Sequence, residues 1–301
     1  MTLSNLFPKR SERLQADLLL LLVAVIWGSA FVAQRVAAQQ IGINYFNGMR
    51  FIVAALFLLL PSRTHLAAWL RSADKALGGI LLAGLLLFGG TTLQQWGLRF
   101  TTAGNAGFIT GLYVVFIPLI LAFGWQQKLA PTTWIAAVFS TAGLFLLSTE
   151  GKFAINQGDA LVLVGAVVWA CHVILIGRLV RRIHVLPLAI GQYTITGALS
   201  LVVSLGLEPG ASRDLGELWW TIAYTGILSV GLGYTLQAVG QKVAPPADAA
   251  IILSSEAVFA TLSGWIFLHE RLGVWQLAGC ALIFTGILLA QLNGLTDRVL
   301  E

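Results

Sequence analysis

The chain has 301 residues, a formal charge of +5 and a mean hydropathy of +0.85; 10% of its residues are charged and 57% are apolar. A soluble domain carries roughly 25% charged residues, so a water-soluble globular fold is excluded and the bilayer becomes the solvent. The basic residues lie between apolar runs, which reads as anchoring at lipid headgroups and predicts no nucleic-acid partner.

Runs of roughly 17 to 25 apolar residues, the length an α-helix needs to cross about 30 Å of hydrocarbon, predict ten spans: 17–38, 45–61, 76–95, 103–125, 131–149, 158–178, 186–207, 217–239, 246–268 and 273–293. Lys9, Arg10 and Arg13 precede the first, as in a secretory signal. Leu18 to Ala33 is nevertheless long for such a segment, and Trp27 recurs inside a later span, so a retained N-terminus is expected. That run also lacks the apolar/polar alternation of an outer-membrane β-strand. Arg50 sits about five residues inside the outer end of the second span, close enough for its long side chain to snorkel to the headgroups, with ligand binding as the alternative. Gly84, Gly89 and Gly90 precede Gln94 and Gln95 in the third span, and Gly226, Gly231 and Gly233 precede Tyr234, Gln237 and Gln241 in the eighth. Such glycines permit close helix approach or bending. Ala136 and Gly143 in the fifth span, with Gly279 and Gly286 in the tenth, are spaced for a tight helix contact within the subunit or in a homodimer. Cys171 and Cys280 fall inside apolar runs and signal neither a disulfide framework nor a metal cluster.

The chain repeats itself. Asp17 and Trp27 recur as Asp159 and Trp169 at an offset of 142, and Gln94, Gly97, Asn105, Lys128 and Gly143 recur as Gln237, Gly240, Asp248, Arg271 and Gly286 at 143. A first five-helix repeat over 17–149 is thus expected to be joined by a linker at 150–157 to a second over 158–293, with tails at 1–16 and 294–301. Five spans per copy force the second copy to enter the membrane from the opposite side. The halves then form inverted repeats, which supply two nearly equal packings and alternating access to a midplane site; rocking of helices one to five against six to ten is the motion this suggests. Placing Lys9, Arg10, Arg13, Arg63, Arg71, Lys75, Lys128, Arg178, Arg181, Arg182, Lys242 and Arg298 inside leaves six basic residues outside, which predicts cytoplasmic termini.

Trp27-Gly28, Arg50-Phe51, Pro118, Ser255-Glu256-Ala257-Val258-Phe259 and Leu268-His269-Glu270-Arg271-Leu272, in this order and spacing, resemble the drug/metabolite transporter superfamily in its ten-helix EamA form. The resemblance covers about 17–293. Gln127 departs from it, standing where an acidic partner of Lys128 is common, and so does Ala257, where the ninth helix often has proline. What the resemblance implies is export or exchange of small metabolites across a bacterial inner membrane, through a central cavity and without ATP. It also tilts the small residues of helices five and ten towards a dimer contact.

Function has to reside in the polar residues inside the spans. Of thirteen acids, Glu256 alone lies near the middle of one. Ionised and unpaired there it would cost about 2.5 to 3.5 kcal/mol, so it must face the bundle interior, hold a proton or find a partner; a proton or substrate-cation site and a neutral acid bonded to a neighbouring helix are both open. His172, whose counterpart is Ala30, can change charge near neutral pH and is a relay candidate for Glu256, or a hydrogen-bonded core residue. Gln94, Gln237 and Tyr234 suit a polar or zwitterionic substrate, or interhelical bonds; Gln95 and Gln241 suit the cavity less. Trp27, Trp169 and Tyr113, the last aligned with Glu256, suit apolar or cation-accepting walls. No His-Glu-x-x-His pair, phosphate-cradling loop or pair of intramembrane carboxylates is present, so neither an enzyme nor a cofactor is expected. The reading is an all-α secondary transporter of a small organic metabolite such as an amino acid, nucleoside or amphipathic drug. Proton coupling through Glu256 and uncoupled transport are the two driving schemes, and a channel is the alternative.

Overall fold

The computed structural model describes residues 10–62, 77–149, 156–210, 215–269 and 273–296, and every regular element among them is helical. In chain order the helices are α1 (Arg10–Gln40), α2 (Ile43–Ser62), α3 (Leu77–Gly97), α4 (Ala103–Gly111, Tyr113–Leu119 and Ile120–Gly124), α5 (Pro131–Thr149), α6 (Gln157–Leu179), α7 (Val185–Leu207), α8 (Leu215–Tyr224, Thr225–Tyr234 and Thr235–Gly240), α9 (Pro246–Leu253 and Glu256–Leu268) and α10 (Val274–Thr296). Eight of these are long and apolar enough to cross a membrane; α5 and α10 hold shorter apolar stretches, Pro131–Leu146 and Leu277–Leu289. Arg63, Arg71, Lys75, Lys152, Arg213, Glu270, Arg271 and Arg298, with most of the expected linker and both tails, lie outside the described residues.

Local chemistry sets several helix starts. The Thr102 hydroxyl accepts the Asn105 amide at 3.1 Å to open α4, and Asn156 with Asp159 forms a capping box at α6. At α2 the free amides of Asn44 and Tyr45 are taken by the Glu208 carboxylate, which arrives from the end of α7 at 3.0 Å.

Three helices are interrupted, and each interruption has a cause in the sequence. In α9 the Ser254 and Ser255 hydroxyls bond back to the carbonyls of Ile251 and Ile252, both at 2.7 Å, competing with the helical ladder. A break therefore occurs in helix nine without the proline that Ala257 replaces. The break in α4 falls at Leu112, the repeat counterpart of Ser255, and is followed by Pro118, which cannot donate to the Val114 carbonyl. In α8 ten residues, Thr225–Tyr234, take the wider π-helical path. A run this long is rare; Gly226, Gly231 and Gly233 allow it, with the Gly231 position only 3.1 Å from the Gly226 carbonyl oxygen for any added methyl.

The halves interleave. The most extensive packing joins α5 to α10, α2 to α7, α1 to α9, α3 to α6, α1 to α8, α4 to α9, α2 to α8, α4 to α6 and α3 to α7, always one repeat against the other. Each pair either maps onto itself or onto another pair when the repeats are exchanged, the signature of a two-fold relation. Tyr113 and Glu256, equivalent positions 143 residues apart, are hydrogen bonded to each other at 3.0 Å, so the pseudo-two-fold axis passes between them. The glycines serve these crossings: a methyl on Gly28 would lie 2.6 Å from the Glu256 carbonyl oxygen, and one on Gly226 would lie 2.9 Å from that of Arg50.

The small residues of α5 and α10 meet inside the chain. A methyl on Gly143 would sit 2.6 Å from the Gly279 carbonyl oxygen, and one on Gly286 would sit 2.9 Å from that of Ala136. Tight packing within the subunit uses these faces, so a dimer through α5 and α10 is left with their other sides.

Candidate functional site

Where the broken helices converge, side chains from seven helices line a cavity with at most about 440 Å³ of unfilled space. Helix α1 contributes Trp27, Phe31 and Gln34, one helical stripe; α2 contributes Arg50, α3 Gln94, α4 Thr110 and Tyr113. On the other side α6 contributes Trp169, His172 and Val173, α8 contributes Ser229, Tyr234 and Gln237, and α9 contributes Glu256. The eight residues that the sequence singles out, Glu256, His172, Trp27, Trp169, Gln94, Gln237, Tyr113 and Tyr234, all line this one space.

Tyr234 is the centre of the aromatic wall. Its ring lies 4.7 Å from Trp27, stacks on Trp169 at 5.8 Å and on Phe51 at 6.4 Å, and meets His172 edge-on at 6.1 Å. Such pairs add roughly 0.5 to 1.5 kcal/mol beyond area burial, so this wall is rigid and presents faces to the cavity. The indole of Trp27 donates to the Ser229 carbonyl oxygen at 3.0 Å, a group the π-helical path of α8 turns towards it. A second chain runs from the Trp169 indole to Gln94 Oε1 at 3.1 Å and from Gln94 Nε2 to Gln34 Oε1 at 3.1 Å.

Other polar atoms at the cavity have no partner among the described residues: both amide atoms of Gln237, Nε of Arg50, Nδ1 of His172 and Oγ1 of Thr110. Buried polar groups are ordinarily satisfied, so this cluster is chemistry held ready for a polar guest or ordered water.

Arg50 reverses its expected placement. It is 2% exposed, its guanidinium carbon 5.0 Å from the Phe46 ring and 5.4 Å from the Phe51 ring. Snorkelling requires a helix at the bundle edge, whereas α2 packs on α7 and on the π segment of α8. The cation therefore faces the cavity. Tyr234 lies within electrostatic reach of both Arg50 and Glu256, so opposite formal charges serve one space.

The relay from His172 to Glu256 is not assembled. His172 Nε2 lies 2.9 Å from Gln192 Oε1, and Glu256 accepts from the Tyr113 hydroxyl. Both residues line the cavity, but through separate partners. Gln95 and Gln241 are interhelical staples, donating to the carbonyls of Gln34 at 2.9 Å and Val173 at 3.0 Å. Sequence reasoning missed Phe31 and Gln34, although they follow Trp27 at i+4 and i+7, and missed Thr110 and Ser229. Ser229 carries no periodic signal because a π-helix displaces the register.

Long apolar helices, broken at mirrored points around a buried polar cavity, define a multi-span membrane protein with a transporter's architecture. The chain belongs to the EamA-like transporter family of the drug/metabolite transporter superfamily, which it matches twice, over residues 14–149 and 156–292. It is 30% identical over 286 residues to an uncharacterized transporter of Archaeoglobus fulgidus, covering 94% of this chain and 87% of the relative. It is 24% identical to the uncharacterized transporter YoaV of Bacillus subtilis, covering 88% and 92%. The threonine/homoserine exporter RhtA of Salmonella typhimurium is 29% identical over 175 residues, 55% of this chain and 56% of RhtA. A solved structure with a TM-score of 0.78 and 20% identity covers 95% of this chain and 99% of its own, and it shares the fold.

Proposed function

We propose that the protein is a secondary transporter that exports or exchanges a small zwitterionic metabolite, of the amino-acid class, by alternating access. In this reading all ten helices span a bacterial inner membrane, both termini are cytoplasmic, and the inverted repeats comprise 17–149 and 158–293. The carrying observation is that Arg50 and Glu256 line one cavity, with the Gln237 amide without a partner among the described residues. A carboxylate suits the guanidinium, which remains charged when buried, and an ammonium suits Glu256 and the faces of Trp27 and Trp169. RhtA, named for threonine and homoserine export, supports the same class.

The helix pairings favour moving bodies that mix the repeats. The group α1, α2, α8 and α9 packs together, as does the symmetry-related α6, α7, α3 and α4. Rocking of these two groups about the Tyr113–Glu256 contact replaces rocking of helices one to five against six to ten.

Glu256 is the coupling residue in the proton-exchange scheme. It sits on the axis and in the cavity, where protonation and substrate occupancy compete for one group. The hydrogen bond from Tyr113 favours the second scheme, in which Glu256 is a structural tie and transport is uncoupled. Proteoliposome flux of radiolabelled threonine, with and without a pH gradient, tests both. Saturable flux driven by the gradient and lost in Glu256→Gln is expected; gradient-driven flux untouched by Glu256→Gln excludes coupling through this residue. Non-saturating flux would indicate a channel.

A further inference from the structure

Away from the cavity, the loop after α4 and the end of α6 come together at the bundle surface. Phe123 and Trp125 are 79% and 49% exposed, and the Arg178 guanidinium carbon lies 3.9 Å above the Trp125 ring. Arg178, Arg181, Arg182 and Lys128 are all exposed. Neither segment, 119–131 or 174–188, contains an acid, and none of the four cations forms an ion pair among the described residues.

Comparison of the repeats isolates this patch. Lys128 corresponds to Arg271, but Gln127 stands where the second repeat has Glu270, and Arg181 and Arg182 correspond to Gln39 and Gln40. These two segments thus gather basic residues that the corresponding segments of the other repeat accompany with an acid or lack. Arg178 lies on Trp125, Arg181, Arg182 and Lys128 are exposed on the same two segments, like charges so gathered favour an anion between them, and the aromatics mark the depth at which lipid headgroups meet acyl chains.

We propose that this patch binds the headgroup phosphate of an anionic phospholipid, with Arg178 held on Trp125 as one prong, Arg181, Arg182 and Lys128 as the others, and Phe123 against the acyl chains. Basic clusters at this depth attract anionic lipid by about 1 kcal/mol per Lys or Arg, which is about fivefold in affinity per residue.

The test measures the melting midpoint of the full chain in neutral detergent during titration with phosphatidylglycerol, phosphatidylcholine or inorganic phosphate. Phosphatidylglycerol alone is expected to raise the midpoint saturably. Lys128→Gln/Arg181→Gln/Arg182→Gln should weaken that response on the order of 100-fold, whereas the three Lys/Arg-conserving exchanges Lys128→Arg, Arg181→Lys and Arg182→Lys should retain it. Trp125→Leu should weaken it and Trp125→Phe should not, and these single variants decide the matter if the triple variant does not fold. Equal shifts from phosphatidylcholine, an equal shift from inorganic phosphate, or an unchanged titration in the neutralised variants would overturn the proposal. No arm depends on transport.

Discussion

The hydrogen bond on the pseudo-two-fold axis can be weighed by a double-mutant cycle of Tyr113→Phe and Glu256→Ala, since a glutamine would keep an acceptor oxygen. The hydroxyl and carboxyl groups are 3.0 Å apart and each residue is 2% exposed, so no bulk water replaces a lost partner. Interhelical hydrogen bonds in membranes average about 0.6 kcal/mol and reach about 1.7, whereas a bond to an ionised group contributes about 1.5 to 3 kcal/mol. With the carboxyl protonated we expect a coupling of about 1 kcal/mol, roughly fivefold in the unfolding equilibrium. Deprotonation makes the acceptor charged, so the coupling should increase as pH rises. Reversible unfolding in mixed micelles, followed by tryptophan fluorescence for wild type, both single variants and the double variant at several pH values, measures it. A coupling within about 0.3 kcal/mol of zero at every pH would refute the contact and with it the placement of the axis.

Arg50→Gln should lower affinity for a carboxylate-bearing ligand roughly 10- to 100-fold, the loss of a charge-assisted contact, in a binding isotherm that Arg50→Lys partly restores. Gln237→Ala should weaken binding with little change in melting midpoint, because its amide has no partner among the described residues; Gln95→Ala should do the reverse, because its amide joins α3 to α1. Gly143→Ala places a methyl 2.6 Å from a backbone oxygen on α10, and the overpacking should cost about 1 to 3 kcal/mol, read as a lower melting midpoint in a thiol-dye assay. Trp27→Phe keeps an aromatic ring, though a smaller one, and removes the donor to Ser229; a loss of at least about 0.5 to 1.5 kcal/mol of stability is expected by the same assay.

Much of the site was legible because a membrane-buried polar residue is costly and so stands out. Glu256, His172, Gln94 and Gln237 were identifiable on that ground, and Trp27 and Trp169 because they recur. Arg50 was misplaced for a physical reason: distance along a helix to the membrane surface is readable, but whether that helix faces lipid or protein is not. Ser229 was hidden because its contribution is a backbone carbonyl on a π-helical path. Hydroxyl competition at Ser254 and Ser255, not proline, made the break in α9, a local effect that apolar run length does not register.

The sequence by itself determined the solvent, the helical class, the duplication and the short list of polar residues, because hydropathy and repetition are one-dimensional properties. Only the tertiary structure decided how the repeats interleave, that Tyr113 and Glu256 are partners as well as equivalents, and that Arg50 and Glu256 share a cavity. Those facts depend on helix faces meeting across the pseudo-two-fold axis, and contact between residues 143 positions apart is set by packing of the whole bundle. The 143-residue offset that relates Gln94 to Gln237 is also the separation across the axis.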